Sequence, residues 1–301
     1  HAIWRQGPIS RQLKADEIDL YHGLSGELPK GLQTAAIVTV HDLIFVRYPK
    51  LYKRADVYIH KRKVNHAVRA ATKIVAISEQ TKADLLAFTD VSEEKVSVIY
   101  QGCHLAFKNK LSQKQKQKIK QKFGLPDEFV LYVGTLEERK NALSIVKALK
   151  DSSLHMVFVG KIKKHGEKLK AFIAKNNMEK RVIFIEDIEI QDLAGIYQNA
   201  TVFCYPSFFE GFGIPIIEAL YSGVPVVTSK GGCFSEAGGP ASLYVDPKDE
   251  KEIGKAINTL FSESEEKRKL RVLKGFSYVQ RFNDDVIVEQ WQKLYQSVKH
   301  V

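Results

Sequence analysis

The sequence predicts an α/β protein made of two doubly wound, Rossmann-like domains, and three observations carry that expectation. Short β-branched and apolar runs alternate with helical patterns along the whole chain, the signature of parallel sheets covered on both faces. The chain has 301 residues, and a single core stops growing at about 250–300 residues. A polar tract, SQKQKQKIKQK at 112–122, interrupts the alternation and marks a domain boundary.

In chain order the strand-like runs are Ala36–Val40, Lys73–Ile77 and Val96–Tyr100 before the polar tract. After it come Phe129–Val133, Met156–Val159, Val182–Ile185, Thr201–Tyr205, Val224–Thr228 and Ser242–Val245. This assigns residues 1–107 to an N-terminal domain and 108–282 to a C-terminal one. Residues 283–301 form a closing helix, whose Trp291, Leu294 and Tyr295 make an apolar face suited to core packing. In Lys50–Lys73, Val57, Val64, Val68 and Ala71 recur at helical spacing among Lys53, Arg54, Lys61, Arg62, Lys63 and Arg69. That pattern fits a solvated helix face or a membrane-surface helix. The Lys/Gln tract reads as a helix or a linker.

The formal charge of +11 favours anionic partners: nucleic acid, phosphorylated ligands or an anionic membrane face. No nucleic-acid partner is expected, because neither basic stretch shows the regular interleaving of stacking aromatics expected of that function. Cys103, Cys204 and Cys233 are sparse and have no metal-ligand spacing, which points to a reducing, cytoplasmic compartment. No apolar run approaches the roughly 18 residues that span a bilayer. Neither GxGxxG nor GxxxxGK[ST] follows any strand, so NAD-dependent and P-loop ATPase readings lack their phosphate fingerprint.

In doubly wound sheets ligands bind beyond the carboxyl ends of the strands. After Thr201–Tyr205 comes Pro206-Ser207-Phe208-Phe209-Glu210-Gly211-Phe212-Gly213, then Ile214-Pro215-Ile216-Ile217-Glu218-Ala219, with Gly223 ending the helix. Pro215 suits a helix start. Gly211 and Gly213 let backbone approach a ligand, and first-turn N–H groups receive an anion. Glu210 and Glu218 suit hydroxyl groups of a ribose and a sugar as acceptors. Spacing alone leaves a glycine turn and a capped helix equally open. A second loop, Gly134 to Asn141, follows Phe129–Val133. There Asn141 is a plausible N-cap, and Arg139-Lys140 oppose the helix dipole, as a diphosphate-binding loop would. Two solvated cations are the alternative. His41-Asp42, at the end of Ala36–Val40, places a potential hydrogen-bond donor at a strand's carboxyl end, although such a pair also fits a structural role.

Together these loops resemble glycosyltransferase family 4, the retaining GT-B enzymes. PSFFEGFGIPIIEALYSGVPVVTS is similar to that family's Glu-x7-Glu signature at nearly every position. VTVHDLIF, VAISEQTKADL, VIYQG, LYVGTLEERKN, SEAGGPASLYVDP and the closing Arg281-Phe282 follow in family order, so the resemblance covers nearly the whole chain. It implies a GT-B fold of two Rossmann-like domains facing a cleft, the N-terminal one acceptor-side and the C-terminal one donor-binding. The closing helix would cross back onto the N-terminal domain.

The resemblance also assigns roles. Glu218 would accept both ribose hydroxyls of the nucleotide, and Glu210 with the N–H groups of Phe212 and Gly213 would hold hydroxyls of the transferred sugar. Ile214 N–H, Arg139 and Lys140 would bind the diphosphate, with Gly134 and Gly211 in the donor loops and His41 beside the donor sugar. Backbone around Ile185–Ile188 would meet the base. The catalytic set is then His41, Glu210, Arg139 and Lys140. Cations and a helix dipole stabilise the leaving group, so no metal and no cofactor are expected; Asp284-Asp285 is remote from these loops. The partners implied are a nucleotide sugar and a saccharide or lipid-linked acceptor, with peripheral contact to an anionic membrane on the inner face of the plasma membrane.

The chain departs from the family pattern in places. The glycine-rich loop after the family's first strand has no counterpart, and His1-Ala2-Ile3-Trp4 reads as the middle of a domain, which predicts that leading strands are missing. Tyr100-Gln101-Gly102 replaces a more usual Asn-Gly, and Lys161 follows Gly160. The competing reading is a truncated or non-catalytic nucleotide-sugar-binding protein. A GT-B phosphorylase would bring a pyridoxal phosphate lysine and a much longer chain.

Overall fold

The computed structural model describes residues 7–299, which form two compact units. The residues from which missing leading strands are expected, His1–Trp4, lie outside those described. The first unit holds the chain up to Gln101, Glu210–Phe212, and the residues from Phe282 onward; the second holds Gly102–Phe209 and Gly213–Arg281.

The first unit is built on a parallel sheet of β1 (Leu20–Gly23), β2 (Ala35–Val40), β3 (Lys73–Ala76) and β4 (Val96–Val98), in that order. Alternate residues of each strand serve opposite faces. Val38, Val40, Ile74 and Ala76 pack with Val64, Ala67 and Val68 of the helix Arg54–Ala70. Ile37 and Val75 pack instead with Leu294 and Val298 of the helix Asp284–Lys299, with Trp291 and Tyr295 against the same cluster. Both faces are therefore covered, which is why β2 and β3 read as continuous apolar runs. Strand β1 corrects the expected count of three. Its sequence LYHG is short, sits at an edge, and lacks the apolar run that marks a central strand.

The second unit contains β5 (Phe129–Val133), β6 (His155–Val159), β7 (Val182–Ile185), β8 (Val202–Tyr205), β9 (Val226–Ser229) and β10 (Leu243–Val245), all parallel. Their order is β10-β9-β8-β5-β6-β7. The chain builds outward from β5 to β7, returns to the middle, and builds outward again from β8 to β10. The sheet thus reverses direction between β5 and β8, a topological switch point at which doubly wound sheets bind ligands.

The Lys/Gln tract is a helix, Gln113–Phe123, and part of this unit. Ser112 and Gln115 close a capping box at its start, and Gly124 (φ 61°) ends it. Its apolar Ile119 lies against Gly195, where an added Cβ would come within 2.8 Å, and Asn199 Nδ2 donates to Lys116 O at 3.2 Å.

Candidate active site

The loops after β5 and β8 flank the switch point, and the second unit ties them together through specific bonds. After β5 the backbone turns through Gly134 (φ 147°), whose N–H donates to Val159 O at 2.8 Å. Gly160 (φ 138°), at the end of β6, lies so close that an added Cβ would meet Gly134 O at 2.4 Å. Neither position suits a side chain.

Asn141 stands at the expected N-cap position of the helix Ala142–Ala148, but not as a capping side chain. Its backbone is left-handed (φ 57°) and its side chain makes no capping bond. Instead Nδ2 donates to Pro206 O at 3.0 Å and Pro247 O at 2.7 Å, while Oδ1 accepts from Ser144 Oγ at 2.7 Å. A buried amide thus joins the β5 loop to the chain leaving β8.

The two cations are anchored rather than loosely solvated. Arg139 donates through Nη1 to Phe209 O and through Nη2 to Glu137 Oε1 at 2.9 Å, and its side chain is 16% exposed. Phe208 N donates to Arg139 O at 2.9 Å. Lys140 Nζ donates to Tyr205 OH at 2.9 Å and lies 5.5 Å from that ring's centroid. The Lys140 stem passes over Gly134, within 3.3 Å of where a Cβ would stand. Arginine and lysine are held beside the carboxyl ends of the adjacent strands β5 and β8 by backbone, carboxylate and phenol groups.

From β8 the chain reaches the helix Ile214–Tyr221 through Gly213 (φ 118°), with Pro215 in its first turn and no side chain capping its start. Gly223 (φ 74°) closes it, with Val224 N donating to Ala219 O at 2.9 Å. Glu218 stands one turn in. Its Oε2 accepts from Tyr197 OH at 2.9 Å, and the same hydroxyl lies 3.3 Å from Pro215 O. Burial raises the Glu218 carboxyl from 4.5 to about 7, against the opposing pull of the Tyr197 hydrogen bond and the Lys140 charge. Burial likewise pushes the Tyr197 phenol well up, with the Glu218 charge adding to it.

The other predicted residues belong to the first unit, where residues 210–212 join His41. Ser78 Oγ donates to Gly211 O at 2.6 Å, and Thr81 Oγ1 lies 3.3 Å from the carbonyls of both His41 and Gly211. A Cβ on Gly211 would stand 2.1 Å from His41 O, so this close approach admits only glycine. Phe212 is buried between the rings of Tyr100 (5.5 Å) and Phe282 (5.2 Å). Glu210 is half-buried in the same short segment.

His41 Nε2 is 2.8 Å from Leu24 O, so in the neutral ring that nitrogen carries the proton and Nδ1 has the lone pair. Gln101 Nε2 comes within 3.5 Å of the other ring nitrogen, Nδ1. Asp42 Oδ1 accepts from Ile44 N at 3.0 Å and serves the local turn. Asp284-Asp285 begin the closing helix.

Gly134, Arg139, Lys140, Gly213, Ile214 and Glu218 are thus brought together in the second unit. His41, Glu210, Gly211 and Phe212 belong to the first. Tyr197, Tyr205 and the Ser78–Thr81 pair were not legible as site residues. Tyr197 reads as one more core aromatic of its helix, and its link to Glu218 spans 21 residues.

Two parallel α/β units, one of them with cations and an uncapped helix start beside its switch point, define a GT-B-type glycosyltransferase fold. Residues 113–272 match the family described as glycosyl transferases group 1, and residues 1–107 match glycosyltransferase family 4. The chain belongs to the glycosyl transferases group 1 family. O-antigen chain mannosyltransferase B of Escherichia coli is 26% identical over 237 residues, covering 76% of this chain and 62% of that protein. O-antigen chain mannosyltransferase RfbU of Salmonella typhimurium is 28% identical over 225 residues, covering 74% and 60%. This chain therefore spans less than two thirds of the length of these relatives. Anabaena HepE, crystallised in complex with UDP and glucose, shares the fold, with a TM-score of 0.82 at 21% identity over 96% of this chain and 82% of that one.

Proposed function

We propose that this chain is a retaining, metal-independent hexosyltransferase. It moves a hexose-type sugar from a UDP- or GDP-sugar to a saccharide or lipid-linked acceptor in the synthesis of a surface polysaccharide. The observation that carries this reading is the construction at the β5–β8 switch point: Arg139, Lys140, an uncapped helix start at Ile214, and Glu218 beyond it. The names of the curated relatives, mannosyltransferases of O-antigen synthesis, support the hexose and the product class. HepE crystallised with UDP supports the nucleotide.

In this reading the diphosphate is met by the two cations and the N–H groups of the first helical turn. As the sugar–phosphate bond breaks, the charge developing on the leaving diphosphate is stabilised by groups already oriented. The acceptor's hydroxyl oxygen bonds the anomeric carbon with its configuration kept, and the hydroxyl proton leaves with the diphosphate. Glu210, with the N–H groups of Phe212 and Gly213, holds sugar hydroxyls, and His41 lies beside the donor sugar. Thermal shift with a panel of UDP- and GDP-sugars tests the donor assignment, since a ligand held only by the native state stabilises it by mass action. A raised midpoint with one nucleotide series is expected, and no shift with any member would overturn the reading. Sugar transfer is expected to persist in excess EDTA. Activity lost there and restored by Mg2+ would overturn the metal-independent mechanism.

Peripheral membrane contact belongs to the same reading. Tyr48, Leu51, Tyr52, Tyr58 and Ile59 are exposed on and just before the helix Arg54–Ala70, interleaved with Lys50, Lys53, Arg54, Lys61 and Arg62. Apolar rings among cations suit an anionic phospholipid surface, each cation contributing about 1 kcal/mol near it. No helix among the described residues is long and apolar enough to cross a membrane. Co-sedimentation with phosphatidylglycerol vesicles is expected to exceed that with phosphatidylcholine, and to fall in the double variant Tyr58→Ser, Ile59→Ser. Equal recovery with both lipids would remove membrane contact from the proposal.

A further inference from the structure

The aromatic face of the helix Ile190–Asn199 supplies a group that none of the roles assigned so far accounts for. Tyr197 is fully buried, yet its hydroxyl points to the start of the neighbouring helix Ile214–Tyr221. The ring meets Phe107 edge-on, with centroids 5.4 Å apart, and Phe203 at a tilt, 5.3 Å apart. A buried phenol with two acceptors in reach, Glu218 Oε2 at 2.9 Å and Pro215 O at 3.3 Å, has one proton to give, and the nearer and more basic carboxylate takes it.

We infer that Tyr197 is a positioning residue for nucleotide recognition: its hydroxyl orients Glu218 and favours the ionised carboxylate that accepts the ribose hydroxyls. The inference rests on the ribose role proposed for Glu218. A carboxylate accepting one bond at Oε2 keeps Oε1 and a second lone pair for a ligand, whereas a protonated acid at this position would offer a donor where ribose hydroxyls need acceptors.

The two groups acting directly on this carboxyl come from two elements. Tyr197 belongs to the helix Ile190–Asn199, and Lys140 to the turn after β5. Tyr205 of β8 holds Lys140 Nζ at 2.9 Å and, with Cys103, acts on Tyr197. Burial holds the Glu218 carboxyl at about 7, and the Tyr197 bond is the larger of the two influences that bring it down. Burial raises the Tyr197 phenol, so it stays protonated and acts only as a donor. Removing that donor therefore moves the Glu218 titration upward and leaves less of the binding-competent form at neutral pH.

The test is calorimetric titration of UDP and of GDP into the protein, Tyr197→Phe, Glu218→Gln and the double variant, between about pH 5.5 and 8.5. Affinity of the unsubstituted protein is expected to rise with pH through about 7. In Tyr197→Phe it is expected to be about 3- to 10-fold weaker at pH 7, with the rise displaced to higher pH and the deficit shrinking in alkaline buffer. Glu218→Gln and the double variant should both show little pH dependence, and the phenylalanine should add little to the amide, the non-additivity expected of coupled neighbours. A Tyr197→Phe deficit equal at every pH marks a merely structural role and overturns the inference, as does an unchanged profile beside a weakened Glu218→Gln. Unchanged affinity in Glu218→Gln instead overturns the ribose role on which the inference rests.

Discussion

Replacing Glu218 with alanine weakens nucleoside diphosphate binding about 10- to 100-fold, the loss expected when charge-assisted hydrogen bonds of about 1.5–3 kcal/mol are removed. The chain stays folded, because alanine suits a helix and the Tyr197 hydroxyl still has Pro215 O at 3.3 Å. Titration with UDP and GDP checks this, and unchanged affinity for both would sink the ribose assignment.

Stability of the unliganded protein should move the other way, with a sign fixed by the titration. The unfolded carboxyl ionises near 4.5 and the folded one near 7. Between those values the fold holds a proton that the unfolded chain has released, so stability falls as pH rises, and the full penalty stands above about 7. Glu218→Gln removes that penalty while keeping an acceptor for Tyr197. The variant should unfold with the parent in acid and exceed it by about 2–3 kcal/mol in alkaline buffer, which denaturation at two pH values reads directly. Weaker binding together with higher stability is the mark of a group kept for its ligand rather than for the fold.

Gly211→Ala is the second large effect expected. The φ of Gly211 is not in the left-handed region, so backbone preference is not the issue. The obstacle is the carbonyl of His41, 2.1 Å from the new methyl carbon. A carbonyl tied into its strand end cannot retreat like a flexible side chain, so residues 210–212 must leave Ser78 Oγ and Thr81 Oγ1. Displacing them costs about 2–3 kcal/mol, and it moves Glu210 with Phe212. Hydrogen exchange should show lost protection at residues 210–212 and 78–81, and transfer should fall by at least 10-fold, on the order of the cost of a displaced positioning group. Unchanged exchange and full activity would mean that the close approach is not required.

The boundaries of β5 follow the apolar run residue for residue, because a strand buried on both faces is apolar throughout; those of β7, a half-buried edge strand, follow its run VIFI as well. Strand β1 did not announce itself, since an edge strand pairs on one side only and LYHG has no pattern long enough to read. The Lys/Gln tract was ambiguous for a related reason. Its propensity is helical, but what makes it part of a domain is one isoleucine, Ile119, meeting Gly195 far along the chain. Asn141 looked like an N-cap because asparagine before a helix commonly is one. It does occupy that position, but in a left-handed turn, and the carbonyls of Pro206 and Pro247 hold its side chain in place of a capping bond.

By itself the sequence determined the family, the parallel α/β architecture, and the identity of the two loops that lead into helix starts. Those are consequences of local periodicity, glycine placement and a long ordered motif, all written within short windows of chain. Only the tertiary structure decided that β5 and β8 are neighbours, which turns two separate loops into the flanks of one switch point. It likewise decided that Tyr197 meets Glu218, that Leu24 O fixes the proton on His41, and that Gly211 is glycine because a carbonyl stands where its side chain would be. Each is a contact between residues separated in sequence, made only once the chain has packed, and for Tyr197 and Glu218 it pairs buried polar groups that have lost water.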